Sequence, residues 1–296
     1  MKLNEDVTLL SSLHEDEDEL FRLNHIAVGK LNPGSEHRTV LVDNTKGGAD
    51  ELENVDVITG LGNFPAFGKK ESDELGLALM VGLRDVDTRY ICIKDPDFFV
   101  VYPHWIEAMK EFMEAADVGI ITAPPFPHHY NKLNTVTNNF IFIDTEKFPK
   151  AFINFVPSKR DTHAMLRSPK IRRWFGPKIT AYYVKNKHYD CGDQIEMRAE
   201  TKIEYLTAIY NPNISPYRTR IDKFVPKRFR FINDRTEYLH TANITIDLEI
   251  WVWNAIPFGI HCRKFFQRMA VENYEIPIEE LSELVSRFIC GYRMDL

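Results

Sequence analysis

Arg89-Tyr-Ile-Cys-Ile-Lys-Asp-Pro-Asp-Phe-Phe-Val100 decides how this chain is read. A short apolar run ending in turn residues predicts a buried strand over 89–94. That strand delivers two carboxylates, Asp95 and Asp97, one residue apart. In an extended segment, residues i and i+2 project on the same side. Pro96 between them restricts the turn and removes one backbone donor. Two carboxylates so placed bind a hard divalent cation, directly or through water, and leave positions open for phosphate oxygens. The same spacing occurs in solvated turns after strands. The position at the end of a buried strand favours the cation.

Working outward, the first 145 residues alternate strand-like and helix-like patterns. Strands are predicted over 7–13, 39–43, 55–59, 117–123 and 139–144, and helices over 17–31, 71–83 and 104–116. The first helix places Leu20, Leu23, Ile26, Ala27 and Leu31 near one face, and Asn32-Pro33-Gly34 stops it. Alternating strands and helices argue for an α/β fold, a mainly parallel sheet flanked by helices. Ligands of such sheets bind beyond the carboxyl ends of the strands, where the polar clusters of this chain fall.

The second half is less regular. Strands are read over 179–185, 203–209 and 237–242, and a short helix over 193–201. Helices follow near 247–256, 261–272 and 277–290. Pro277, Glu279, Glu280 and Gly291 give the last helix consistent boundaries. The expected organisation is a core over 1–235, divided into 1–123 and 124–235, and a C-terminal helical extension over 236–296.

Composition bounds the function. Hydrophobic residues make up 44% and charged residues 27%, as in ordinary globular proteins. No run approaches 18 apolar residues, so no membrane span is expected. The start, acidic and without an apolar stretch, lacks the features of a secretory signal. The four cysteines are far apart and form no CxxC pair, and Cys92 reads as a small core residue. A reduced, cytoplasmic protein is the expectation. Residues 156–235 carry 18 Lys and Arg against 8 Asp and Glu, whereas the remainder carries 19 against 35. A basic segment inside an acidic protein points to an anionic ligand. That ligand is either a donor diphosphate or a polyanionic acceptor.

Asp95-Pro96-Asp97 after a hydrophobic strand resembles the DxD motif of glycosyltransferases with the GT-A fold, especially those similar to family 2. The resemblance covers roughly residues 6 to 210. It takes in Val7-Thr-Leu-Leu-Ser-Ser12, the strand ending Leu41-Val-Asp-Asn-Thr45, the helix over 71–83 and the strand over 139–144. It implies a nucleotide-sugar donor and a divalent metal, Mn²⁺ or Mg²⁺, held by Asp95 and Asp97. Ser11, Asp43 and Asn44 fall where that fold holds the nucleotide base and ribose. Lys94 departs from the apolar residue of many relatives, and it pairs with Asp97 or a phosphate or faces solvent. Asp43 has a second reading, the closing of a turn through its own backbone.

His188-Tyr-Asp-Cys-Gly-Asp-Gln-Ile-Glu196 holds the candidate general base. Sugar transfer needs the acceptor hydroxyl deprotonated as it attacks the anomeric carbon, and a positioned carboxylate does this. The resemblance favours Asp193, with Asp190 in reserve. Asp193 also reads as a helix N-cap in a capping box with Glu196. His240 is a candidate third metal ligand, since imidazole suits Mn²⁺ better than Mg²⁺. A lone histidine on an apolar strand is otherwise a satisfied core residue.

Two further segments concern the acceptor. Pro124-Pro-Phe-Pro-His-His-Tyr130 reads as a lid or acceptor-contacting loop through His128 and His129, or as a plain surface loop. Arg172 and Arg173 lie in a run where basic residues alternate with aromatics, a pattern that follows phosphates and stacks on bases. The expected reaction is transfer of a sugar to an acceptor hydroxyl, on a saccharide or on a hydroxymethylated base in DNA. Such a base would have to be flipped out of the duplex. The rivals are a sugar-nucleotide-forming nucleotidyltransferase and a non-enzymatic nucleic-acid-binding module. The first usually carries a Gly-rich basic loop after its first strand, where this chain is acidic.

Overall fold

The computed structural model describes residues 6–13, 17–45, 52, 54–59, 71–123, 136, 139–156, 191–210, 247–254 and 256–263. In chain order these form β1 (Val7–Leu13), α1 (Asp18–Leu31), β2 (His37–Asp43), β3 (Val55–Ile58) and α2 (Glu71–Gly82). There follow β4 (Tyr90–Lys94), β5 (Phe98–Val100), α3 (Trp105–Ala115), β6 (Val118–Thr122) and β7 (Phe140–Asp144). The last are α4 (Asp193–Arg198), β8 (Lys202–Tyr205), β9 (Thr207–Tyr210), β10 (Asp247–Trp253) and β11 (Ile256–Arg263).

Seven strands make one sheet in the order β3-β2-β1-β4-β7-β6-β8. All neighbours are parallel except at β7, which runs against both β4 and β6. The mainly parallel α/β fold is therefore realised. Side-chain alternation along β4 explains its two-sided burial. Tyr90 and Cys92 join Val28 of α1 and Trp105 and Met109 of α3. Ile91 and Ile93 join Ala78 and Leu79 of α2 on the opposite face. Strands covered on both faces read as continuous apolar runs, as β4, β6 and β7 do. Helix α2 lies close on the sheet at Gly82, where a Cβ would come within 2.5 Å of Leu10 Cδ1.

Arg89 pins the end of this sheet opposite the two aspartates. Its Nη2 and Nε donate to Asp144 Oδ2 and Oδ1 at 2.9 and 3.2 Å, and the Asp144 side chain is wholly buried. The bidentate pairing raises the Arg89 pKa further and satisfies a carboxylate that burial alone would penalise.

A second sheet, in the order β5-β11-β10-β9, packs its aromatic residues on the first. It corrects the expectation of a helix near 247–256 and of a helix starting at 261, since residues 256–263 are strand. The rest of the helix expected over 261–272 lies outside the described residues. Leu248, Ile250 and Val252 alternate with Glu249, Trp251 and Trp253, and the period is two. Trp251 and Val252 are both buried, so apolar residues occupy both faces and blur that period. Asn254 takes a left-handed φ of 49° at the hairpin, a conformation that asparagine tolerates. The helix expected over 277–290 lies outside the described residues. So do the strands expected over 179–185 and 237–242.

The single strand expected over 203–209 is two strands, one in each sheet. Leu206 stands between them, buried, with its N–H donated to Thr122 O at 2.9 Å. The chain crosses between sheets at that residue. The face of α1 is also rotated from the expectation. Leu20, Phe21, Asn24, Ala27, Val28 and Leu31 are buried, while Ile26 is half exposed and Leu23 is only partly covered. A polar residue in the buried stripe displaced the apolar pattern, for a reason found at the site.

Candidate metal centre

Strand β1 is flanked by β2 on one side and β4 on the other, so the chain reverses its direction across the sheet at this pair. Such a switch point leaves a crevice beyond the strand ends. Ser11 spans it, donating Oγ–H to Lys94 O at 2.7 Å. At the end of β2, buried Asp43 accepts the Thr45 N–H at 2.7 Å. Asn44 donates its N–H to Leu13 O at 3.3 Å and its Nδ2–H to Ser12 Oγ at 3.1 Å. Asp43 thus closes the turn through a local bond, as one of its two readings required, and Asn44 ties that turn to the end of β1. They do so on the edge where β4 ends.

Beyond β4, Phe98 N–H donates to Asp95 O at 3.1 Å. This closes a β-turn from Asp95 to Phe98 with Pro96 at its second position, where the ring presets φ. The two aspartates therefore approach through a turn, and the extended i, i+2 geometry expected from the sequence is corrected. The Asp95 N–H donates to Asn139 O at 3.1 Å and extends the β4–β7 ladder by one bond. Past the turn the chain enters β5, whose Phe98 stands opposite His261 of β11.

That register brings a histidine to the aspartates. His261 Nε2 lies 3.3 Å from Asp97 Oδ1, and its Nδ1 lies 3.4 Å from Asn139 Nδ2. Side-chain ligand atoms of Asp95, Asp97 and His261 all fall within 4.8 Å of one another. Asp95 and Asp97 are partly buried and His261 is buried, so one side of the group stays accessible. Two carboxylate oxygens and one imidazole nitrogen suit Mn²⁺ well and Mg²⁺ less well, with positions left for other oxygens. The residues fit a divalent cation.

Beneath the turn lies a buried polar pair. Lys94 is 5% exposed, and its ammonium donates to Asn24 Oδ1. Burial pushes the Lys94 pKa down to about 8. Asn24 in turn donates both amide hydrogens, to Pro96 O and Phe98 O, each at 2.8 Å. Lys94 therefore does not face solvent: its bond runs to α1, under the motif.

Asp193 is the first residue of α4, and Gly192 is the N-cap, with φ of 103°. The capping-box reading placed Asp193 one position too early, because a conformation that only glycine takes readily occupies the cap. Asp190, His128, His129, Arg172, Arg173 and His240 lie outside the described residues. The late histidine that the structure brings to the aspartates is His261, which the sequence reading placed at the start of a helix. Asn24 and Asn139 were also missed. Asparagine in an otherwise apolar helix stripe was the one available signal, for Asn24.

No protein-family model matches the sequence, and no curated protein matches it. The solved structures to which this chain is similar include a galactosyltransferase, LgtC, in complex with donor and acceptor sugar analogs. It is 11% identical over 67% of this chain and 72% of that one, with a TM-score of 0.40. Residues 1–349 of S. aureus TarS are 13% identical over 68% of this chain and 60% of that one, with a TM-score of 0.37. TarS has also been solved in complex with UDP. At these values the reading of the site rests on its own residues. Among the described residues, no helix is long and apolar enough to cross a membrane.

Proposed function

We propose that this protein is a metal-dependent glycosyltransferase that moves a sugar from a nucleotide donor to an acceptor hydroxyl. The observation that carries the reading is the convergence of Asp95, Asp97 and His261 where β4 meets the switch point of a mainly parallel sheet. A divalent cation bound there supplies Lewis-acid stabilisation of charge on the departing nucleoside diphosphate. Asp95 and Asp97 balance the cation's charge, and His261 completes the donor set from the second sheet. Ser11, Asp43 and Asn44 stand on the same strand-end edge and are assigned to the nucleoside.

Asp193 at the start of α4 is the proposed general base, with Asp190 as the alternative. Its carboxylate would accept the proton of the attacking hydroxyl. The acceptor is assigned to the basic segment with Arg172 and Arg173 and to the loop with His128 and His129. A polyanion such as DNA with a hydroxymethylated base, or an anionic saccharide, fits the charge excess of 156–235.

The test is a thermal-shift screen of UDP-, GDP-, CMP- and dTDP-sugars with and without Mn²⁺ or Mg²⁺. A ligand at about 100 times its Kd stabilises the native state by about 2.7 kcal/mol, a rise of several degrees in Tm. One nucleotide class is expected to give such a shift only with metal, and Asp97→Ala is expected to abolish it. A folded protein that shifts with no donor under any metal condition would sink the proposal.

A further inference from the structure

The turn that carries the two aspartates is closed by the Phe98 N–H bond to Asp95 O and tied to the chain beside β7 by the Asp95 N–H bond to Asn139 O. Its remaining inward carbonyls, of Pro96 and Phe98, are both taken by one side chain from α1. Asn24 is 2% exposed and sits at the middle of a buried helical stripe where every other buried member is apolar. Asparagine is a poor helix former, and a buried amide is costly unless it is bonded. A leucine would serve the packing of α1 better. Asn24 spends all three of its strong polar sites on the motif: both N–H groups on the turn and Oδ1 on Lys94.

We propose that Asn24 is a positioning residue of the cation site, fixing the Asp95-Pro96-Asp97 turn so that both carboxylates reach one ion with His261. This rests on the metal-site reading above. Asn24 holds the Pro96 carbonyl toward α1 and so sets the peptide plane before Asp97, and the Phe98 N–H bond to Asp95 O sets the plane after it. The Asn24 bond to the Phe98 carbonyl anchors the chain one peptide further on. Together they fix the direction in which the Asp97 side chain leaves the chain. The Asp95 N–H is fixed separately by Asn139 O, so the turn is anchored by two different parts of the chain. Without the amide, the ladder to β7 still ends at Asp95, but the Pro96 and Phe98 carbonyls lose the side chain that holds them toward α1.

The test is a titration with Mn²⁺, following the free aquo-ion by electron paramagnetic resonance, on the full chain without any nucleotide. The wild type is expected to bind one ion and Asp97→Asn to lose it. Asn24→Ala is expected to weaken binding at least tenfold, the range seen when residues supporting metal ligands are removed. Asn24→Asp retains an acceptor for Lys94 but has no N–H to give the two carbonyls, and it is expected to weaken binding as well. If Asn24→Ala does not fold, this second variant decides the question.

Asn32→Ala separates positioning from general damage. Asn32 is another buried asparagine at the end of α1, bonded to Val28 O and to the Ile106 N–H, away from the motif. Its loss is expected to lower Tm while leaving Mn²⁺ affinity within twofold. Wild-type affinity in a folded Asn24 variant overturns the positioning role alone. A wild type that binds no Mn²⁺ overturns it together with the metal-site reading.

Discussion

Cys92 is two residues before Lys94 on the same strand face, and the two side chains show how one environment acts on opposite charges. Burial penalises the charged form of each, so the thiol is pushed up to about 12 and the ammonium down to about 8. In the folded chain the Cys92 thiol stays protonated where an unfolded thiol ionises, near pH 9. Its contribution to stability is therefore complete below pH 9 and is lost as pH rises from there toward 12. Because the thiolate is the nucleophile, Cys92 is expected to resist iodoacetamide at pH 8.5 in the native protein and to react in denaturant. Peptide mapping by mass spectrometry reads both states, and rapid native labelling of Cys92 would contradict its burial. The sequence showed Cys92 as a core residue because an apolar strand surrounds it. It could not show Asn24 as part of the site, since the separation of 72 positions between Asn24 and Pro96 is bridged only in the folded molecule.

At the scale of elements, the first half was legible because each strand and helix carries one clear period. β1 spans the residues expected, and β4, α1 and α3 differ from expectation by a residue or so at their ends. Elements between the two sheets were not legible. β5 is three residues, all apolar, and has no period to read. β10 is apolar on both faces. His261 was missed with β11, since a ligand's meaning depends on the strand opposite it. The start of α4 permits a sharper expectation. Gly192 holds φ at 103°, and a Cβ there would lie 2.3 Å from Val136 O. An L-residue in that backbone region costs about 1–2 kcal/mol, and the contact adds to it. Gly192→Ala is therefore expected to lose at least about 2 kcal/mol in urea denaturation, more than the left-handed penalty alone. Asp193 follows directly, so activity should fall further than the population of folded protein accounts for. A neutral effect on both would mean that the turn relaxes freely.

For the whole molecule, the question is whether 1–235 folds without residues 236–296. The expected boundary at 235 treated the remainder as an appended helical unit. Yet β11 pairs with β5, and β10 pairs with β9, so the second sheet is built from strands on both sides of that boundary. Trp251, Phe258 and Ile260 are fully buried. Phe258 packs against Phe140 and Trp105 with ring centroids 5.1 and 6.4 Å apart, and these belong to the core beneath α3. Burying one large apolar side chain contributes about 1.5–3 kcal/mol. Losing these three together with Trp253 removes a large part of the roughly 5–15 kcal/mol by which native domains are stable. It also uncovers Phe98 and Trp105 on the remaining piece. A chain ending at residue 235 is therefore expected to be insoluble or to unfold without a cooperative transition, and to bind no Mn²⁺ for want of His261. Circular dichroism melting beside the full chain checks the first expectation, and Mn²⁺ titration checks the second. A cooperative transition at the full-length Tm would show that the hairpin of β10 and β11 is an accessory to a complete domain. A folded fragment that still bound Mn²⁺ would in addition remove His261 from the donor set and leave Asp95 and Asp97 as its protein ligands.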